Sequence, residues 1–157
     1  MPRAQSIAGA SEDFGETLDA LAGATGSRRV RFIEILVEKP RIGWMSAATR
    51  LEWEGATYEG RAEGEGGPAS ELRISALATT RALEKLLDGE LALSVVGIKS
   101  MRIFDHDLVA VLLHSPQATD RNLIGVSLVT ADICRSAALA VLNSTNRLLG
   151  NYLATSD

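Results

Sequence analysis

A plan that occurs twice limits the folds open to this chain more than any other feature. Three short alternating segments are followed by a Leu- and Ala-rich segment of helical period, and then the order repeats. In the first half, Val30–Val37 sets Val30, Phe32 and Leu36 against Arg31 and Glu34. Ala47–Glu54 points Leu51 and Trp53 one way and Arg50, Glu52 and Glu54 the other, which is the period-2 signature of a half-buried strand. Glu54-Gly55-Ala56 reads as a tight turn, and Thr57–Glu63 opposes Tyr58, Gly60 and Ala62 to Glu59, Arg61 and Glu63. The two strands form an antiparallel hairpin whose outer face carries opposite charges. Pro68–Leu87 is the helix that covers the other face, with Pro68 in the first turn, an apolar stripe of Leu72, Ala76, Leu83 and Leu86, and Asp88-Gly89 as the stop.

The second half reads as strands Leu91–Lys99, Leu108–His114 and Leu123–Val129, then a helix Asp132–Leu149 stopped by Gly150. The halves align residue by residue. Arg41-Ile42 matches Arg102-Ile103, and Tyr58-Glu59-Gly60 matches Leu123-Ile124-Gly125. Arg73, Ala76, Leu77, Ala78, Leu86 and Leu87 fall on Arg135, Ala138, Leu139, Ala140, Leu148 and Leu149, with an insertion around Gln117–Asp120. An internal duplication explains this order. The expected architecture is α+β: two tandem β-β-β-α units, 30–89 and 91–150, forming an antiparallel sheet covered on one face by two helices. Residues 1–29 are a tail or docking helix, with Ser11-Glu12-Asp13 as a cap and Phe14, Leu18 and Leu21 at helical spacing, and 151–157 a C-terminal tail.

The halves differ in polarity. Strands of the second unit are apolar on both sides, and Ala137–Leu142 is apolar nearly all round. A strand apolar on both faces needs cover on both, and one layer of helices supplies only one. A homodimer is the simplest second cover, with the N-terminal segment folded across the face as the alternative.

Composition narrows the function classes. The chain of 157 residues is one domain in length, and 46% hydrophobic with 23% charged residues is a globular balance. A net charge of −4 argues against a nucleic-acid binder, which usually carries a basic excess. The single cysteine, Cys134, forms no internal disulfide, and no apolar run reaches the roughly 18 residues of a membrane span. The N-terminus has no apolar stretch of a secretory signal, so the cytoplasm is the expected compartment.

Few constellations carry chemistry. Gly64, Gly66 and Gly67 lead into Pro68 at a helix start, where open amides favour an anion, although Glu63 and Glu65 oppose one and a glycine turn accounts for the same residues. Asp105-His106-Asp107, with His114 further on, reads as a hairpin turn before it reads as a metal site, and His114 as a solvated edge residue. Cys134 is a small core residue. Arg28, Arg29, Arg31, Lys39 and Arg41 form a basic run diluted by Glu34 and Glu38 and read as a solvated strand edge. Asn143, Asn146, Arg147 and Asn151 make an amide-rich side of the last helix.

The stretch Tyr58-Glu59-Gly60-Arg61-Ala62-Glu63-Gly64-Glu65-Gly66-Gly67-Pro68-Ala69, running into Leu77, resembles the strand–turn–helix of the C-terminal regulatory (dimerisation) domain of 2-isopropylmalate synthases. Ile124-Gly125-Val126-Ser127, with Ile133, Ser136, Ala137 and Leu142 downstream, is similar to that family's second strand-to-helix junction. The resemblance covers about residues 30–150. It implies a pair of β-β-β-α units that dimerises and binds an amino-acid end product, and it adds Ser127, Thr130 and Asp132 to the candidate ligand contacts, at a junction where Thr130 or Asp132 also reads as a helix cap. The catalytic barrel of those synthases is absent, and Ala69-Ser70 stands where the family carries Val-Asp. The expected protein is a non-catalytic, cofactor-free homodimer that binds a small amino or organic acid, with no nucleic acid or membrane partner. The alternative is a scaffold that docks a protein through residues 1–29 and takes no small ligand.

Overall fold

The structure, a computed structural model, describes residues 29–118 and 121–155. The expected helix or tail at the N-terminus lies outside these residues. The element order is β1 (Arg31–Arg41), β2 (Trp44–Trp53), β3 (Ala56–Glu65), α1 (Pro68–Leu86), β4 (Ser94–Ile103), β5 (His106–His114), β6 (Asn122–Leu128) and α2 (Ile133–Thr155). This is an α+β fold of two β-β-β-α units. Where one sheet was expected, the strands form two, ordered β1-β2-β3 and β4-β5-β6, each antiparallel throughout.

Local chemistry explains the elements and the places where they depart from the sequence pattern. The hairpin turns hold residues at positive φ, namely Gly43, Glu54-Gly55 and Phe104-Asp105, and of these only the glycines adopt it without steric cost. β1 runs on to Arg41, past its alternating stretch, and a bulge between Phe32 and Glu34 reverses its phase. Leu36 therefore leaves the side of Phe32 and is 50% exposed, while Ile35 and Val37 pack inward. β4 has the matching bulge between Val95 and Gly97. It begins later than expected, at Ser94, because Leu91 and Leu93 fill the core from the connection before it. α2 is not stopped by Gly150 but runs on to Thr155. A glycine inside a helix costs only about 1 kcal/mol, and no proline comes after it to end the helix.

One core spans both units. Leu51, Leu72, Leu83 and Leu86 of the first unit join Val95, Val109, Val111, Leu113, Val141 and Leu149 of the second. The ladder register identifies equivalent positions independently of the sequence match. Gly60 faces Thr49, and Gly125 faces Val111. Leu51 lies between Phe32 and Tyr58, and Leu113 between Val95 and Leu123. The β3/β6 match read from the sequence agrees with this register, and the helix match agrees with the backbone that each strand glycine faces, Ala78 and Ala82 for Gly60, Ala140 and Ser144 for Gly125. Arg41, however, falls on Ile103 and not on Arg102, because β1 has a second irregularity between Glu38 and Arg41. The insertion at Gln117–Asp120 lies in the connection between β5 and β6.

The equivalence exposes a buried polar pair. The Thr79 hydroxyl donates to the Ser75 carbonyl at 2.9 Å, so the Thr49 hydroxyl is the donor across the 3.0 Å contact to Thr79 Oγ1. The second unit has Val111 and Val141 at the same two places, both buried. Thr79→Val alone is expected to cost about 1–3 kcal/mol, because it leaves the Thr49 hydroxyl buried without its acceptor, whereas Thr49→Val/Thr79→Val together should be near neutral. Urea denaturation of the two singles and the double gives the coupling directly. Additive costs would contradict the pairing.

Candidate functional site

At the β3–α1 junction Gly64 and Gly66 leave room for a methyl group at ordinary contact distance. A Cβ on Gly64 would stand 3.4 Å from Ile74 Cδ1, and the Gly66 amide donates to the Gly43 carbonyl at 2.9 Å. Gly67 has φ of 155°, which suits only glycine, and its carbonyl accepts from the Glu71 amide at 2.8 Å. The anion that open amides would attract thus meets a turn in which the Gly66 amide is already engaged. At the β6–α2 junction the Asp132 carboxylate accepts from the Cys134 amide at 3.0 Å, the side-chain cap expected of such a residue. Ser127 pairs with Val109 within the second sheet and is half-buried; Thr130 is exposed.

The first junction and the start of α2 meet at one small cluster. Met45, Ala47, Ala62, Ile74, Ala78 and Cys134 are buried together, with Ile133 beside them. Gly64 borders Ile74 and Gly66 borders Met45, so Gly64, Gly66 and the Asp132–Cys134 turn surround the same apolar group. Lys39 pairs with Glu71 at 2.6 Å, and this contact raises the lysine pKa. Burial pushes the Cys134 thiol up, and the Asp132 and Glu71 carboxylates add to it, against the opposing pull of Ser75 and Lys39. A protonated thiol in such a setting is a packing group.

The two units are joined reciprocally. Arg73 of α1 donates to the Val95 carbonyl in β4 at 3.1 Å, and Arg135 of α2 stands over the Phe32 ring in β1 at 5.5 Å. Arg73 and Arg135 are equivalent, and so are Val95 and Phe32. Each helix therefore reaches from its own unit to the first strand of the other, and the helices pack against each other. This reciprocity is what a two-fold relation between the units produces. Its signal was visible in the sequence as a repeated arginine, but a repeat does not say what the arginines touch.

A second duplicated device protects the open edges. Arg81 donates to the Arg61 carbonyl on β3 at 2.7 Å, and Asn143 accepts from the Val126 amide on β6 at 3.1 Å. Both are helix side chains that engage an edge-strand backbone group, one a donor and one an acceptor. The amide-rich side of α2 thus includes one structural contact.

The other sequence candidates separate. Phe104-Asp105 forms the β4–β5 turn, Asp107 pairs with Arg102 at 3.5 Å, and among the described residues no three His, Cys, Asp or Glu side chains gather as metal ligands. His114 is not an edge residue: it lies on the central strand β5 between Ser94 and Asn122 and is half-buried. β1 is an edge strand, and its basic residues have local partners: Arg31 with Glu52, Lys39 with Glu71, and Arg41 over Trp44.

The outer faces of the two sheets differ in kind. The first bears Glu34, Arg50 and Glu59 in one row and Leu36, Ala48 and Arg61 in the next, with an Arg50–Glu34 ion pair. A shallow cavity of about 470 Å³ lies there, bordered by Glu38, Glu59 and Glu63 and also by Arg61 and Arg81, so charges of both signs line it. The second bears Met101, Leu108 and Leu128 in one row, Lys99, Ala110 and Val126 in the next, then Gly97, Leu112 and Ile124. Ile124 is 73% exposed, Val126 and Leu128 about half. No helix among the described residues is long and apolar enough to cross a membrane. No known family model matches the chain, and no curated protein matches it.

Proposed function

We propose that this chain is a non-catalytic regulatory domain that self-associates and binds a small amino or organic acid, in the manner of the C-terminal regulatory domain of 2-isopropylmalate synthases. The observation that carries the reading is the reciprocal joint between two β-β-β-α units, Arg73 to Val95 and Arg135 to Phe32. A joint of that kind has a geometry that a small molecule can bias, provided the ligand contacts its two states differently. The convergence of Gly64, Gly66 and the Asp132 turn on one cluster supplies a place where both units border the same site.

A thermal-shift screen against amino acids, 2-oxo acids and nucleotides tests the ligand half. A ligand at ten times its dissociation constant adds about 1.4 kcal/mol, which at this length raises Tm by about 3–6 °C. A selective shift with amino or organic acids is expected, and its loss in Gly66→Val would assign it to the first junction. A flat screen removes the ligand half and favours a scaffold without a small ligand. One observation already supports that second reading: the Gly66 amide and the Asp132 carboxylate are both engaged within the chain.

A further inference from the structure

The ladder register allows the outer faces of the two sheets to be compared position by position. Ser46, Arg50, Glu59, Arg61, Glu63 and Glu38 of the first sheet occupy the places of Leu108, Leu112, Ile124, Val126, Leu128 and Met101 in the second. Six polar or charged residues stand where six apolar ones do, on the same scaffold. The first sheet therefore serves as an internal control: nothing in the β-β-β-α unit requires apolar side chains at these places. Single exposed apolar residues need no explanation, but a whole face of them marks a contact.

We infer that the outer face of β4-β5-β6 is the surface on which a second copy of this chain packs, sheet against sheet. The inference rests on the self-association part of the proposed function and locates it. Three observations favour a second copy as the occupant. The first is shape, because an identical copy brings an equally twisted three-stranded sheet, and such sheets pack face to face about 10 Å apart. The second is charge. Lys99 is the one acid or base in the three apolar rows, so two copies meet with little repulsion. An anionic bilayer would instead favour a basic rim, and the chain carries a net −4. The third is area. Three strands about 4.8 Å apart and about seven residues long give a flat footprint of about 340 Å². Upstanding side chains and the Phe104 tip, 91% exposed at the end of this sheet, add to that footprint. A patch of this size is at the small end of the interface range, that of a reversible pair. Ala110, the smallest residue of its row, sits in the middle of the face and lets the two β5 strands approach.

The test transplants the first unit's own residues. Val126→Arg/Leu128→Glu copies Arg61 and Glu63, which the equivalent strand already tolerates. Sedimentation equilibrium of the full chain at about 50 µM, a concentration that populates interfaces of micromolar affinity, should give about twice the 16.7 kDa chain mass. The double variant should give the single-chain mass with an unchanged far-UV circular dichroism spectrum. Leu36→Lys, on the outer face of the first sheet, should remain dimeric. A wild-type chain at single mass overturns both this assignment and the self-association it rests on. A dimer unmoved by Val126→Arg/Leu128→Glu overturns the assignment alone. Should the double variant fail to fold, amide exchange on the wild-type chain decides: faster exchange of Ile124–Leu128 on dilution supports this face, and unchanged exchange removes it. Co-sedimentation of the undimerised chain with neutral phosphatidylcholine vesicles would reassign the face to lipid.

Discussion

Gly60→Ala and Gly125→Ala should each destabilise the protein by about 3 kcal/mol, lowering Tm by roughly 6–12 °C. A Cβ at Gly60 would lie 2.1 Å from the Ala78 carbonyl oxygen and 2.2 Å from the Ala82 amide nitrogen. At Gly125 the corresponding distances are 2.2 Å to the Ala140 carbonyl oxygen and 2.5 Å to the Ser144 amide nitrogen. All four are backbone atoms, so no rotamer change relieves the overlap, and the helix must move off its sheet. Ala78 and Ala82 stand to Gly60 as Ala140 and Ser144 stand to Gly125, which is why the same cost is expected twice. Gly97→Ala is the control. Nothing in the single chain lies within 4 Å of its added methyl group, and in melts dilute enough to keep the chains apart the change should stay within about 0.5 kcal/mol. Thermal melts of the three variants suffice, and a Gly125→Ala protein as stable as Gly97→Ala would mean that α2 does not sit on β6 as described.

Leu51→Ala and Leu113→Ala should each cost about 2–5 kcal/mol and yet leave a single unfolding transition. Both leucines are fully buried, at equivalent places on the central strands of the two sheets. They belong to one hydrophobic cluster that crosses the unit boundary. If that cluster holds the molecule together, a cavity in either unit lowers the midpoint of the whole chain. Urea titrations followed by far-UV circular dichroism and tryptophan fluorescence should then coincide for both variants. Both tryptophans, Trp44 and Trp53, lie in the first unit. A fluorescence transition left in place by Leu113→Ala would therefore reveal two units that melt apart.

How much of the fold was legible in the sequence depends on the range of each interaction. The order of strands and helices rests on local alternation and helical period, and Leu51, Trp53 and Tyr58 fall on the side that their alternation assigns. Leu36 does not, because a bulge adds one residue, and a one-residue slip reverses every side chain beyond it. Gly150 fails as a stop because a glycine ends a helix only where the residues after it cannot continue the helical turn, and Asn151–Thr155 can. The division into two sheets was not legible, since pairing between β1 and β4 edges is decided by contacts far apart in the chain. Of the candidate ligand residues, Gly64, Gly66 and Asp132 lie round one cluster, whereas Gly67 caps α1, Ser127 belongs to β6 and Thr130 to the turn after it. The edge contacts of Arg81 and Asn143 had no signal, because a single polar residue on a helix resembles any solvated one.

The unlike outer faces of the two sheets have a consequence for valence. A molecule of this build with both faces apolar could stack at each end and would grow into an open-ended polymer. With one face charged and one apolar it can stack once, and association closes at the pair. Two identical units made as separate chains could not reach this state, since every substitution on one face would appear on the other as well. Covalent fusion lets the faces diverge, so the linker between Leu86 and Ser94 makes a capped assembly possible as well as connecting two halves of a core.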